Sequence, residues 1–552
     1  MPAWLADWFR SGSPGVYLTA GAVSFSLVMV FGLLFLITVR GMGHFWPAEV
    51  VRLSLNGGEA KYALGEVVDE ETVSAQRLLD NGIKVPDGQL TVHRVLLKIG
   101  NRDLHGFDFQ WFNDTEYDEV RRPRKAVVIE REEWGNYYGF VTGILEREQP
   151  VAYKSSPWPQ LRKRIARAER LRKAIDEVQN EQMGAINYAL ERLRLDTRRL
   201  ELDGVTSGPP LAAIAAERER LKAEYDELAR RLATLNERIA RDVLTVETVN
   251  GEPGKIPFRD IVRAFRPNAM SLTDKLGHYA VKLGEFVSTE PREANTEGGV
   301  FPAIFGTVMM VLLMSVFVTP FGVIAAVYLR EYAHQGLLTR VIRIAVNNLA
   351  GVPSVVYGVF GLGFFVYFLG SSIDQAFFQA ALPAPTFGTP GLLWSSLTLA
   401  LLTVPVVIVS TEEGLSRIPR SIREGSLALG ATKAETLWRT VLPMATPAMM
   451  TGLILAVARA AGEVAPLMMV GVVKLAPTLP LDGNLPFLHL DRKFMHLGFH
   501  IFDVGFQSPN VEAARPLVFA TSLLLVIIIV ALNLAAITIR NRLREKYNAA
   551  ET

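Results

Sequence analysis

The sequence predicts an α-helical integral membrane protein with six transmembrane helices and a large extracytoplasmic domain after the first helix. Hydrophobic residues make up 49% of the 552 residues, although 21% of the residues are charged. The charges are segregated, because six long stretches hold few or none while the block 41–297 is crowded with them. A helix needs roughly 20 apolar residues to cross a hydrocarbon core of about 30 Å. Each of the six stretches is long enough for one crossing.

The predicted spans follow from where the charges stop and resume. The first is expected to be retained, because it is too long for the apolar region of a signal peptide and no small-residue cleavage site follows it. The fifth is apolar except for Arg459 and Glu463. We expect the six spans at 11–39, 299–329, 344–373, 391–410, 445–473 and 516–539.

The overall composition excludes several classes of protein. The formal net charge is only +2, which argues against a nucleic-acid binder that neutralises phosphates. The chain contains no cysteine, so disulfides, iron–sulfur clusters, thiol catalysis and cysteine-ligated zinc are excluded.

Lysine and arginine in the short loops predict the orientation, because such residues concentrate on the cytoplasmic side. One set of loops holds at most three such residues in each stretch: none lies between 372 and 390, and only Lys474, Arg492 and Lys493 lie between 473 and 510. The other set is therefore cytoplasmic, both termini are cytoplasmic, and 41–297 is periplasmic. That basic set comprises Arg330, Arg340, Arg343, Arg417, Arg420, Arg423, Lys433, Arg439, Arg540, Arg542, Arg544 and Lys546.

The outer block combines two patterns. Segments 90–99, 125–130, 137–145 and 243–249 are rich in branched residues and read as strands, which predicts β-rich parts at 50–157 and 243–290. Between them, apolar residues step by four and three residues, and 203–210 interrupts the run. This pattern predicts an antiparallel coiled-coil hairpin at 159–242 with arms on the order of 50–65 Å. The stepping residues are Ile186, Leu190, Leu193, Thr197 and Leu200, then Leu221, Tyr225, Leu228, Leu232, Leu235 and Ile239.

The hairpin has two interpretations. It is a docking arm for a partner outside the membrane, or it is a spacer whose charges only solvate it. The second is favoured, since charged heptad helices are usually structural.

The cytoplasmic loop 411–443 contains the most informative motif, at 424–443. Leu427, Ala431, Ala434 and Trp438 share one helical face, and Gly430 marks a point where a helix ends or a partner approaches closely. The sequence therefore predicts a short amphipathic helix that fills a groove on a soluble partner.

This segment resembles the EAA loop of ABC-importer permeases. In that pattern Glu-Ala-Ala is followed after three residues by Gly, and Leu-Pro closes the loop. Glu424, Gly430, Leu442 and Pro443 match in register. Gly and Ser replace the two alanines, which keeps both positions small, and Thr440 stands where Ile is usual.

Four other segments narrow the resemblance. Together, 292–302, 329–333, 347–354 and 458–466 resemble the PstA family, the permease subunits of phosphate-specific ABC importers. The resemblance covers about 291–546 closely and does not explain 41–290. It implies the type I (MetI-like) permease fold and a role in phosphate import.

The resemblance also implies partners. These are a cytoplasmic ATPase of the PstB type, a sister permease of the PstC type and an external phosphate-binding protein of the PstS type. The chain itself is not expected to hydrolyse ATP or to hold a cofactor. Gly425 and Gly430 have the glycine spacing of a Walker A loop, but Ala431 stands where its lysine belongs.

Arg459 and Glu463 are the candidate residues of the translocation pathway. Their spacing of four places both on one helix face, within reach of a salt bridge. Charged residues inside a membrane usually face a bundle interior or a pathway. We expect Arg459 to attract the anion and Glu463 to hold the arginine until the gate moves; the alternative is a mutually satisfied pair that pins two helices together.

These observations divide the chain into 1–40, a cytoplasmic stub with the first span; 41–297, the outer domain; and 298–552, a five-helix permease core. Two alternatives stay open: a permease for another anion, and a membrane-anchored interaction protein that acts through its outer coiled coil. The intact loop and the intramembrane pair count against the second. His496 and His500 have the spacing of two metal ligands, but their surroundings are apolar and no metal is expected.

Overall fold

The computed structural model describes residues 13–56, 60–80, 90–153, 156–508 and 511–548. Within these ranges six helices are long and apolar enough to cross a membrane, which confirms the predicted number of spans. Residues 1–12, predicted as the stub and the start of the first span, lie outside the described residues. Spans 1 to 6 run Gly15–Gly43, Phe301–Tyr332, Ser354–Phe377, Leu392–Arg417, Lys433–Gly462 and Ala514–Arg542.

Two predicted spans had one wrong boundary each. The third was expected to begin at 344, but Ile344 belongs to a separate helix, Leu337–Leu349, and span 3 starts only at Ser354. Pro353 precedes that start, and a proline disfavours helical geometry in the residue before it. The fifth was expected to reach 473, but its helix ends at Gly462 because Glu463 is extended, with φ −79° and ψ 132°.

Span 4 lies at the centre of the bundle. Met310 and Met314 of span 2, Leu399 and Leu402 of span 4 and Ala460 of span 5 are fully buried in one apolar cluster. Span 1 instead packs beside span 6 and leaves most of its apolar side chains exposed. Exposed apolar side chains on a membrane span are expected where it faces lipid.

Spans 4 and 5 approach each other closely through small residues. A Cβ on Gly452 would lie 2.7 Å from the Cβ of Ser410, and one on Gly414 would lie 2.5 Å from the Cβ of Ala448. Small residues at such crossings let two backbones pack without a hydrophobic driving force between them. The two spans that flank the loop 424–443 are therefore held in direct contact.

The region between spans 1 and 2 contains an antiparallel five-strand sheet and an antiparallel six-strand sheet. The first has the order β4-β3-β2-β1-β5, and the second the order β10-β9-β7-β6-β11, with β8 paired to β7. Short helices at Ala75–Asp80 and Arg102–His105 connect strands of the first sheet. The strands are β1 Val50–Leu55, β2 Tyr62–Ser74, β3 Thr91–Lys98, β4 Phe109–Asn113, β5 Tyr117–Arg121, β6 Val127–Arg131, β7 Tyr137–Glu146, β8 Gln149–Pro150, β9 Asp242–Glu247, β10 Pro253–Pro257 and β11 Ile261–Phe265.

A helical hairpin is inserted between β8 and β9. Its first arm runs Trp158–Asp176, a π-helical turn Glu177–Gln182 and Met183–Leu202; its second arm is Pro209–Ile239. Gly204 and Gly208 supply the positive φ angles, 80° and 126°, that turn the chain between the arms. The apolar residues that step by four and three along both arms are all buried or half-buried.

The hairpin also touches the permease. The Tyr188 hydroxyl donates a hydrogen bond of 2.6 Å to the carbonyl oxygen of Leu485, and the Tyr188 ring meets the His489 ring edge-on at 5.9 Å. Leu485 and His489 lie in the long loop between spans 5 and 6. The first arm therefore lies against the same end of the bundle as that loop.

Candidate functional site

The loop between spans 4 and 5 is built from two helices and a tight turn. The helix Arg420–Ala428 ends at a turn in which the Gly430 N–H bonds to the Leu427 carbonyl at 3.0 Å. Gly430 has φ +88°, a left-handed conformation in which residues with a Cβ are strained. Thr432 then caps the next helix, which continues through a π-helical turn into span 5. Gly430 is thus the residue at which the chain reverses.

The turn corrects one sequence expectation. Leu427 and Trp438 do not share one helical face, because the break at 429–432 places them on different helices. The loop nevertheless exposes large apolar side chains: Leu427 is 46% exposed, Leu429 91% and Trp438 73%. Glu424 is also exposed. Exposed apolar groups that cluster on one surface commonly mark an interaction site.

The opposite side of the loop is packed into the bundle. Leu415 and Ile418 from the end of span 4 form a buried cluster with Leu437 and Val441. The hydroxyls of Ser426 and Thr436, 2.9 Å apart, join the two helices of the loop. These contacts fix the loop as a unit against spans 4 and 5.

A group of charged residues ties this unit to span 2. The Arg423 guanidinium donates to the carbonyls of Ile418 and Leu415 at 2.8 Å each, and it pairs with the Glu331 carboxylate at 3.0 Å. The Lys433 ammonium bonds to the Glu331 carbonyl and lies 4.5 Å from the centre of the Tyr332 ring. The Arg423 and Glu331 side chains are only 19% and 12% exposed.

Sequence reasoning missed this group. Arg423 directly precedes Glu424, and Glu331 lies in a segment that contributed to the family resemblance. Both were therefore inside segments already singled out. Their pairing joins positions 92 residues apart, which no local periodicity reveals.

Leu442 and Pro443 stand at the junction of the loop with span 5. The Leu442 N–H bonds to the Leu437 carbonyl, five residues back, in the wider spacing of a π-helix. Pro443 is at the start of the regular helix Leu442–Gly462. Pro443 lies just after the π-helical turn, and because it has no N–H it leaves one helical hydrogen bond unmade within the continuous helix Lys433–Gly462.

Arg459 and Glu463 lie together at the far end of span 5. The Arg459 Nε and a Glu463 carboxylate oxygen are 3.6 Å apart, and the side chains are 35% and 21% exposed. Arg459 occupies the last helical turn, and Glu463 follows the last helical residue. The pair is therefore at the end of the helix opposite the loop, whereas the sequence placed both residues inside a longer span.

Comparisons with known proteins match this architecture. A family profile described as the inner membrane component of binding-protein-dependent transport systems matches residues 318–547. The PstA 1 phosphate transport permease of Mycobacterium tuberculosis (strain CDC 1551 / Oshkosh) is 34% identical over 244 residues, which cover 44% of this chain and 71% of that protein. PstA of Mycobacterium leprae is 36% identical, covering 40% and 68%, and PstA of Yersinia pestis is 31% identical, covering 46% and 77%.

Among solved structures, a chain of the inward-facing MetNI methionine ABC transporter is 19% identical. It covers 44% of this chain and 94% of its own length, with a TM-score of 0.31. The assignment rests on the sequence relatives and on the family profile, whose matched residues 318–547 include the loop and its flanking helices. The chain therefore belongs to the PstA-like family of ABC permeases, and it is a transmembrane permease subunit of an importer.

Proposed function

We propose that the chain is the permease subunit of an ATP-driven phosphate importer and that it forms the translocation pathway together with a sister permease. The similarity to phosphate permeases from three bacteria, at 31–36% identity over 40–46% of this chain, is the observation that carries this proposal. The protein is a multi-pass inner membrane protein. In the proposed orientation both termini are cytoplasmic and 41–297 is periplasmic.

The loop 424–443 is the proposed docking site for a separate ATPase of the PstB type. Leu429 and Trp438, which are both exposed on this loop, would fill a groove on that partner, and Glu424 would lie at the rim of the groove. Movement of the loop would reach span 5 through the continuous helix and span 2 through the Arg423–Glu331 pair. Rigid elements joined by specific contacts transmit such displacements.

The Arg459–Glu463 pair is the proposed charged element of the pathway. Its position at the end of span 5 opposite the loop puts it at the periplasmic side in the proposed orientation. A cation partly exposed at that end would attract an anion, while the neighbouring carboxylate holds the guanidinium in place. In this role Arg459 contacts the anion and Glu463 positions Arg459.

We propose that the outer domain 41–297 has two parts, a β-rich module and a hairpin whose arms pack as a coiled coil. The permease core follows residue 297. The hairpin leaves the second sheet after β8, which pairs with β7, and returns to it at β9, which is the neighbour of β7. Entry and exit at adjacent strands are expected for an insertion. A phosphate-binding protein of the PstS type and a sister permease of the PstC type are the proposed partners at the outer face and in the membrane.

The direct test is co-purification followed by transport. The chain, expressed with its candidate ATPase and sister permease, should form one complex whose ATPase activity rises when phosphate-loaded binding protein is added. In proteoliposomes the same complex should accumulate phosphate. A complex stimulated equally by another oxyanion would support the alternative of a permease for a different anion.

The second candidate, an interaction protein acting through the hairpin, is separated by a limited deletion. The base of the hairpin cannot be removed safely, because Leu161, Ala168 and Ile239 belong to the core of the second sheet. Replacing only 184–228 with a short turn removes the distal half, including Tyr188. Retained uptake supports the permease role alone, whereas lost uptake with normal assembly supports an essential docking role for the hairpin.

A further inference from the structure

The helix Leu272–Ser288 lies between the outer module and span 2. It begins firmly, because the Ser271 side chain accepts a hydrogen bond from the Asp274 N–H and the Asp274 carboxylate accepts one from the Ser271 N–H. This reciprocal cap stabilises the first turn. The helix ends where the Val300 N–H bonds to the Phe286 carbonyl at 2.8 Å, beside the first residue of span 2. It is therefore a stable helix attached to the start of a membrane span.

The polar face of this helix points inward, toward the β module. The Lys282 ammonium lies 2.7 Å from the buried Glu130 carboxylate of β6, and Lys275 lies 3.8 Å from Glu49. Glu285 pairs with Arg263 of β11. The residues at 275, 278, 282 and 285 step by three, four and three, so these contacts occupy a single face. A water-exposed helix normally has the opposite arrangement, with its polar face outward.

The apolar face is left largely exposed, with Leu283 half-buried against the cluster around Phe286. Leu272, Leu276, Ala280, Leu283 and Val287 step by four, four, three and four residues along one stripe. Leu272 is 67% exposed, Leu276 52% and Val287 38%. Moving an exposed leucine or valine side chain out of water into an apolar environment is favourable. A capped helix that turns its charges inward and its leucines outward is built for an apolar neighbour on the outer side.

Aromatic residues beside this stripe place it at the membrane boundary. The Phe45 ring, two residues beyond the end of span 1, lies 5.1 Å from the Phe286 ring and 6.2 Å from the Tyr279 ring. Trp46 lies 6.1 Å from Tyr279. Aromatic side chains concentrate where membrane helices leave the hydrocarbon layer. The helix thus adjoins the end of span 1 through Phe286 and Tyr279, and the start of span 2 through the Val300 hydrogen bond.

We propose that the helix Leu272–Ser288 lies in the surface of the bilayer, with its apolar stripe among the lipid acyl chains, and anchors the β module to the membrane. The occupant is lipid because the stripe adjoins the ends of two membrane spans, and an interfacial helix buries its apolar face at this depth. The ion pairs with the β module then make the module and the start of span 2 move together.

Site-directed spin labelling of the full-length protein in nanodiscs tests this proposal. The chain contains no cysteine, so Leu276→Cys and Gly277→Cys each give one labelling site. Gly277 is the matched control: it is exposed on the same helix, a Cβ there meets nothing within 4 Å, and it is turned about 100° away from Leu276.

For each label, the experiment gives the ratio of its collision rate with oxygen to its collision rate with a water-soluble nickel complex. This ratio should be several-fold higher for the label at 276 than for the label at 277. Equal access of nickel to both labels would overturn the proposal, because the stripe would then face water. A label at 276 that becomes shielded from both oxygen and nickel when ATPase and sister permease are added would also overturn it, because the occupant would be protein.

Discussion

Replacing Gly430 with alanine is expected to disrupt the loop 424–443 through backbone conformation alone. Gly430 has φ +88°, and a Cβ built there meets nothing within 4 Å. The substitution therefore adds no steric overlap, but it places a Cβ residue in the left-handed region at a cost of roughly 1–2 kcal/mol. That energy lowers the ratio of the native turn to alternative conformations by a factor of about 5–30.

Gly425 supplies the matched control, five residues earlier in the same loop. It lies inside the helix Arg420–Ala428, it is exposed, and a Cβ there also meets nothing within 4 Å. Alanine at this position should stabilise the helix by roughly 0.5–1 kcal/mol. Asparagine at 430 should lose less than alanine, since asparagine tolerates the left-handed region better.

The assay is phosphate uptake and ATPase activity of the reconstituted complex. Gly430→Ala should reduce uptake by up to the same factor of about 5–30, Gly430→Asn should lose less, and Gly425→Ala should match or exceed the native protein. The reasoning would be refuted if Gly430→Ala transported normally. It would be refuted equally if Gly425→Ala lost as much, because exposure of the site rather than its conformation would then decide coupling.

Three other perturbations test separate parts of the structure. Arg459→Leu should abolish uptake while the complex still assembles, as size-exclusion chromatography would show; normal uptake would remove the arginine from the pathway. Arg423→Met leaves the Glu331 carboxylate without its partner and should lower stability by about 1–3 kcal/mol, most of which Glu331→Gln in the same chain should restore; equal stability of the single variant in thermal unfolding would contradict this. Burial alone raises the pKa of Glu130, but the charges of Lys282 and Arg263 and the hydrogen bond from Lys282 together lower the pKa from 4.5 to about 2, so the β module should lose stability as pH falls from about 4.5 toward 2; an unchanged pH dependence of unfolding in Glu130→Gln would count against these pairs.

The six membrane spans were predictable because a helix in lipid satisfies its own backbone and needs only a long uncharged run. The ends were less predictable. Residues 344–349 are apolar enough to extend span 3, but Pro353 separates them, and Glu463 ends span 5 although apolar residues continue beyond it. Hydropathy counts side chains, whereas the helix ends are set by backbone breaks.

The candidate site was predictable in part. The positions of Glu424, Gly430, Leu442 and Pro443 came from a local motif, and the structure adds that Gly430 reverses the chain. It also shows that Leu427 and Trp438 lie on separate helices, because Thr432 and Glu435 form a cap that starts the second one. A face drawn with one helical period cannot anticipate such a break.

The features that depend on neighbouring residues could be read from the sequence: the apolar runs, the 4-3 spacing of apolar residues in the hairpin and the loop motif. Helix period and hydropathy act over only a few residues. The contacts between residues that are far apart in the sequence became visible only in the folded structure. It brought Arg423 to Glu331, rested Tyr188 on Leu485, and turned the charged face of 272–288 toward the sheet so that its leucines remained outside. Such pairings depend on how whole elements pack, and the pattern within either partner does not specify the other.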